Sequence, residues 1–583
     1  MLLDQGFLKQ AISIARQFVG APVPYQFSAR ETAVLNLFFT STTRRVFFFK
    51  NLPPNFSAAL LAMYSRLKNQ RGIRGHFVDT LLPLLLTGLL ENFSEVSPSG
   101  AIHAYQAYLD GLGIKSLDQF CEAKTEHRIL FEDFVANATG DPRLEKQLAD
   151  SPKMKALLDV FLDKYGHNSI ARGAALTFAV EDVSILAAKS LEWNRLGSGF
   201  IELSTRFVDV SRARQYPIWE ELATVNEEAA CAAREAIIES SAAYKRLLGE
   251  KFDGVLPSFL ETHLAKFLPI KDLKSAVLGE SCDVAGNVLP CATLTSVGVA
   301  ISGEAFDALL KHLILDGTPE NYALVELILS EAAKVGGDQF ARHYEPSEWD
   351  VAMWRYLGVL EFGMKSDLLL PRVIAEDILA GAFPGGLISQ SSDLGDGQSI
   401  WDIVLRMLPF NIRGEHDKLP REFEVVGATF FDAMSFRSWR DLQRHVLVTH
   451  ARTLVSPSIG FYHYDKPAPV ELQEIFSEIH QMNGRTWVEL TGRGVSPLIA
   501  QYAMAMGNLV GFSCGANLRE WEFIFWQRSK FGVNHEVRQV VLRLESRLRH
   551  EYPWWEKISR TDRTPAYVAA RGSAGVPLPP TVE

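Results

Sequence analysis

The residues able to do chemistry concentrate between Gly166 and Phe207, where His167, Ser169, Arg195, Glu202, Ser204 and Arg206 interrupt an apolar run. Cations and carboxylates in such surroundings are costly to bury unless a charged or hydrogen-bonding group meets them. Glu202, Ser204 and Arg206 alternate, so on an extended strand their side chains share one face. They offer a carboxylate acceptor, a hydroxyl and a bidentate clamp, a plausible grip on a phosphate joined to a polar heterocycle. A second set lies late in the chain: Arg444 and His445, then Asn517, Arg519 and Arg528. An Arg in a helix's first turn works against the macrodipole, which favours an anionic ligand beside Arg519.

Each group also admits a purely structural role. His167 and Ser169 can cap a turn after Gly166. Glu202, Ser204 and Arg206 can form surface ion pairs. Arg444 and His445, with Arg437 and Arg440, can be a solvated basic face. Asn517 can be a helix N-cap, and Arg528 can pair with Glu522 or Glu536. The tryptophans Trp521, Trp526, Trp554 and Trp555 read as core or interface rather than as a stacking platform.

The elements that must position these residues read as a helix-rich α/β (α+β) fold. Residues 1–160 show helical spacing of apolar residues, including an amphipathic N-terminal helix. LTFAV (176–180) reads as a strand, 184–194 as a helix and 200–211 as a strand. Residues 217–253 read as one long helix, and two further helices join at Asp316-Gly317-Thr318. The later part repeats this order: a strand over 421–431, a helix over 435–455, and helices over 517–528 and 535–552. Thr177, Phe178, Ser184 and Leu191 line up with Thr429, Phe430, Ser435 and Leu442, the Thr-to-Ser step differing by one residue. The expected division is 1–330 for a first copy, 331–560 for a second, degenerate copy, and 561–583 for a flexible Pro/Gly/Ala-rich tail.

At 583 residues the chain exceeds one compact core. Its net charge of −10 argues against a nucleic-acid or membrane-surface partner. Its five scattered cysteines hold no CxxC pair, so no metal is expected and reduced thiols in the cytoplasm are. The apolar run Leu81–Leu90 contains Pro83 and is too short to span a membrane. Neither G-x-G-x-x-G after a strand, nor GxxxxGK[ST], nor HExxH, nor G-x-S-x-G occurs.

Taken together, these blocks resemble the signature of the flavin-dependent thymidylate synthases. Gly166-His167-x-Ser169, Thr177-Phe178 and Glu202-x-Ser204-Thr205-Arg206-Phe207 match, with Phe207 in place of Tyr. Arg444-His445 matches two residues of the RHR block, with Val446 replacing the second Arg; Asn517, Arg519 and Arg528 match the later N-x-R…R. Tyr64-Ser65-Arg66 matches an early YSR block. The chain is similar to a tandem-duplicated, divergent member in which the copies have lost complementary halves of the site.

The resemblance implies flavin-dependent one-carbon transfer, thymidylate synthase-like, to a pyrimidine nucleotide or related heterocycle. FAD would be the cofactor, with reduced folate and NAD(P)H as co-substrates. It implies Glu202, Ser204, Arg206 and Arg195 on the nucleotide-like substrate, and His167, Ser169, Arg444, His445, Asn517, Arg519 and Arg528 on the cofactor. The implied assembly is a homodimer forming a pseudo-tetramer. One departure stands out: Gly286 occupies the position of a family Arg that polarises the uracil. Glycine has no side-chain donor for that purpose. This implies either a substrate other than deoxyuridylate or a non-catalytic nucleotide- or flavin-binding protein.

Overall fold

The apolar runs near Phe178 and Val299 become the two central strands of an antiparallel sheet. Its strands are β1 (Val46–Phe48), β2 (Ala175–Ser184), β3 (Ser198–Glu202) and β4 (Leu294–Ser302), in the order β1-β2-β4-β3. A second antiparallel sheet has β5 (Gly386–Gln390), β6 (Gly427–Ser435), β7 (Thr449–Arg452) and β8 (Leu509–Asn517), in the equivalent order β5-β6-β8-β7. These come from a computed structural model describing residues 5–138, 171–351, 386–390 and 413–564. Within those ranges it omits 53, 65–68, 91, 92, 94–97, 194, 195, 204–213, 251, 349, 414–418, 420, 425, 446 and 531.

The one-residue difference between the two aligned stretches, 177–184 and 429–435, has a structural cause. β2 carries a bulge between Val180 and Val183 against Val297 and Thr295, with Asp182 at φ 57°. β6 pairs with β8 without a break from Gly427 to Ser435. The extra residue is the bulge. It accompanies a buried Glu181 that accepts from Tyr64 Oη (3.0 Å), Tyr25 Oη (2.7 Å), Ile73 N (3.0 Å) and Arg74 Nη2 (3.2 Å). Tyr64 is thus part of a buried hydrogen-bond network; Ser65 and Arg66 lie outside the described residues.

The helices after the central strands repeat one capping device. Ser184 caps Ile185–Leu191 and also bonds the Glu320 carboxylate, through its backbone N (2.9 Å) and its hydroxyl (2.5 Å). Ser435 caps Phe436–Gln443 and bonds Glu536 in the same way (2.8 and 2.5 Å). Glu320 and Glu536 both lie in the first turn of a later helix, Pro319–Ala332 and His535–Glu551. Ser302 and Asn517 cap the helices Gly303–Asp316 and Leu518–Arg528. Replacing Ser435 with Ala removes the cap and leaves a buried carboxylate without its hydroxyl partner. A loss of about 1–3 kcal/mol is expected, read as a lower urea midpoint.

By contacts, the chain divides into Leu8–Ser204 with Leu294–Pro346, and Met1–Phe7 with Thr205–Thr293 and Ser347–Glu583. In the first unit, β2 and β4 are buried on both faces. Phe48, Phe178 and Val299 pack with Phe306, Leu309 and Ile328, whereas Phe47 and Ala179 belong to the cluster of Phe39, Leu60 and Phe77. In the second unit, the Ala-rich helix Glu227–Leu248 packs on Val470–Gly492. There the loops at 287–292 and 502–507 exchange reciprocal backbone bonds. Cys291 N donates to Met504 O and Met506 N to Leu289 O; Ala292 N donates to Tyr502 O and Gly507 N to Asn287 O. Tyr216 N to Ala292 O is echoed by Tyr462 N to Gly507 O. Equivalent positions therefore pair isologously, as across a two-fold axis, within one chain.

Two expectations are corrected, and the first residues of the expected tail are described. The 217–253 helix is broken into Ile218–Ala223 and Glu227–Leu248, because Asn226 caps a new start by accepting from Ala229 N at 2.9 Å. The 435–455 helix ends at Gln443, and Thr449–Arg452 forms edge strand β7 on β8; the β-branched Thr449 suits a pleated surface. The tail is pinned at its start: Asp562 O and Thr564 O accept from Arg538 Nη2 (2.9 and 2.8 Å), and Arg563 pairs with Glu545. Residues 565–583 lie outside the described residues.

Candidate functional site

Of the expected site residues, His167, Ser169, Arg195, Ser204 and Arg206 lie outside the described residues. The others fall into two places.

In the unit holding β5–β8, the loop after Phe436–Gln443 delivers His445 to the flank of Leu518–Arg528. His445 is buried. Its Nε2 accepts from Arg528 Nε at 2.9 Å, and Arg528 Nη2 donates to Asp441 O at 2.7 Å. Because the guanidinium donor stays protonated, Nε2 is the bare nitrogen and the ring proton sits on Nδ1. That nitrogen faces Glu520 Oε1 at 3.7 Å, and the Phe523 ring lies edge-on with its centroid 6.1 Å away. Burial, reinforced by Arg528 and opposed by Glu520, lowers the His445 pKa. The imidazole is neutral at pH 7, and an NMR titration should show it still unprotonated where an exposed histidine is half charged.

Asn517 caps the same helix, its Oδ1 accepting from Glu520 N at 2.9 Å. Arg519 pairs with Glu424 through Nη1, while its Nε is buried with no hydrogen-bond partner among the described residues. Arg444 is exposed beside His445. Arg528 pairs with neither Glu522 nor Glu536 among the described contacts; Glu522 is taken by Arg413 and Arg560, and Glu536 by Ser435. The sequence reading missed Glu520 and Phe523. Their signal is helical spacing, because i, i+3 and i+8 place Glu520, Phe523 and Arg528 toward one side.

In the other unit, the Glu202 carboxylate is buried against Lys189 Nζ at 2.8 Å, and Lys189 also pairs with Glu192. Thr295 Oγ1 lies 3.5 Å from Glu202 Oε1. Nearby, Trp193 stacks on His312 with centroids 5.2 Å apart and planes at 5°. Burial pulls the His312 pKa down to about 4. The folded state therefore binds fewer protons than the unfolded chain between that value and the ordinary histidine value of 6.5. Its stability contribution is full above pH 6.5 and is lost as pH falls to about 4. At ~1.36 kcal/mol per pK unit this amounts to roughly 3 kcal/mol. Urea melts across this range should show that loss, and His312→Asn should reduce it.

Gly286 ends the helix Ile270–Ala285 in a different setting. A Cβ there would lie 2.3 Å from Cζ and Nη1 of Arg437. Arg437 is buried and donates to Asp283 O and Cys282 O (both 2.9 Å), with Asp283 Oδ1 at 3.4 Å. It satisfies carbonyls of the helix's last turn, where a cation is favoured. Among the described residues no cluster of three His, Cys, Asp or Glu side chains suited to a metal occurs, and no helix is long and apolar enough to cross a membrane.

Residues 123–335 match the family described as thymidylate synthase complementing protein. A UPF0159 protein of Thermoplasma acidophilum is 25% identical over 471 residues, covering 72% of this chain and 90% of its own length. UPF0159 proteins of Chlamydia pneumoniae and Chlamydia muridarum are each 23% identical, covering 81% and 82% of this chain and 90% and 91% of their own. The matched region holds β2, β3 and β4 with the helices Gly303–Asp316 and Pro319–Ala332, so this part of the chain is similar to the thymidylate synthase complementing proteins.

Proposed function

We propose that the chain is a flavin-dependent enzyme transferring a one-carbon unit to a pyrimidine nucleotide or related heterocycle. The single observation carrying this reading is the cationic, partly aromatic face of Leu518–Arg528, with the buried Arg519 Nε that no described residue meets. An unpartnered buried donor is costly and fits an anionic oxygen. The residues suit the diphosphate and ring of FAD: Arg444, Arg519 and Arg528 would neutralise charge, Asn517 would keep the helix start ordered, and neutral His445 would offer Nδ1–H or its ring edge. When bound, the flavin supplies hydride chemistry. Glu520 holds the His445 proton on Nδ1, and Arg528 fixes the ring plane. Reduced folate and NAD(P)H are the proposed co-substrates. Glu202 and the neighbouring Ser204, Arg206 and Arg195 are proposed for the nucleotide, with His167 and Ser169 on the cofactor; Glu202 would act through Lys189.

The repeated strand order and the reciprocal loop bonds support reading 1–330 and 331–560 as two copies. We further propose that two chains pair into a cytoplasmic pseudo-tetramer. The non-catalytic alternative, a nucleotide- or flavin-binding protein, is favoured by one observation. The space over Gly286 is filled by Arg437, which is spent on main-chain carbonyls. Reconstitution with FAD separates the readings. The enzyme should turn yellow and be reduced by NAD(P)H, and a folate donor with a nucleotide panel should yield a methylated product. A flavin-loaded protein that turns over no nucleotide supports the alternative, and a protein that stays colourless rules out the flavin site.

A further inference from the structure

The two sheets allow the candidate site to be compared with its own counterpart inside the chain. Counting from the caps Ser184 and Ser435, Lys189 corresponds to Arg440 and Trp193 to Arg444. Counting from Ser302 and Asn517, Glu304 corresponds to Arg519, Ala305 to Glu520 and Leu313 to Arg528.

The chemistry at the two places differs in kind. Around Ile185–Leu191, the Lys189 charge is met by two buried carboxylates, Glu192 and Glu202. Trp193 lies flat on His312, a histidine that burial keeps neutral. Leu313 is core, and Glu304 pairs with Arg172. Among the described residues this place is filled by its own side chains, and the Lys189 charge is already met by two acids rather than open to a flavin diphosphate. Around Phe436–Gln443, His445 and Arg528 bond each other, Arg444 is exposed, and Arg519 retains its buried, unmet Nε.

We infer that each chain takes one flavin dinucleotide, at the Arg444–His445–Arg528 face, and that the corresponding face around Lys189 and Trp193 is closed by its own side chains and takes none. This rests on the flavin reading above and adds its stoichiometry. A pairing of two such chains then presents two cofactor sites, where four identical subunits would present four.

Equilibrium dialysis of the full-length protein against FAD, with bound flavin read from its visible absorption band, tests this. One equivalent per chain is expected. Arg444→Ala and Arg519→Ala, both at partly or fully exposed positions and so of low folding risk, should each weaken binding at least five-fold. Glu304→Ala, at the counterpart of Arg519, should leave affinity unchanged. Two equivalents per chain, or a Glu304→Ala effect as large as that of Arg519→Ala, overturns the inference while the flavin reading stands. One equivalent insensitive to Arg444→Ala and Arg519→Ala also overturns it. No bound FAD at all overturns the flavin reading and this inference together.

Discussion

Lys189→Met is expected to lower the unfolding free energy by about 3–5 kcal/mol, the range for breaking a buried ion pair by removing one partner. The reason is local. The Lys189 ammonium stands between the carboxylates of Glu192 and Glu202, all three nearly inaccessible to water. Without it, two buried carboxylates remain close together with no cation between them. The double replacement Lys189→Met with Glu202→Gln should recover part of the loss, because it removes the repulsion as well as the pair. Urea melts of both variants give the comparison. A single-variant loss below about 1 kcal/mol, the range of an exposed ion pair, would place these groups in solvent instead.

Gly286→Ala should cost about 2–4 kcal/mol, despite adding only one methyl group to an ordinary backbone conformation. Gly286 has φ −60° and ψ −12°, which any residue adopts, so the objection is space alone. The new Cβ would sit 2.3 Å from the Arg437 guanidinium. Arg437 can yield only by giving up bonds to Cys282 O and Asp283 O, leaving a buried helix end and a buried cation unsatisfied. In an Arg437→Gln background the same Gly286→Ala change should cost much less, since the obstruction is gone. An equal cost in both backgrounds would show that Arg437 is not what excludes a side chain at 286. A side chain at 286 is thus excluded by packing: a cation from a distant part of the chain already fills that space.

The sequence pattern located much of the scaffold, for identifiable reasons. Thr177-Phe178…Ser184 and Thr429-Phe430…Ser435 were readable as repeats because strand, cap and helix start each demand particular residue types in order. The helices Gly303–Asp316 and Pro319–Ala332 were readable because Gly317 and Pro319 punctuate them. The helix assigned across 435–455 was misread because a short apolar stretch after Arg444 has no period of its own; only the open edge of β8 makes Thr449–Arg452 a strand. Asn517 was readable as both cap and site residue, and the structure shows the cap.

Residue types and order alone determined the recurring order of strand, cap and helix, and the cationic character of the Arg444, His445, Arg519 and Arg528 group. These follow from local propensity and composition, which the chain carries wherever it folds. Only the tertiary structure decided which charges answer which. Lys189 turns to Glu192 and Glu202, Arg528 to His445, and Arg437 to a helix end about 150 positions away in sequence. Such pairings depend on distance and on exclusion of water, and neither is written in the order of residues.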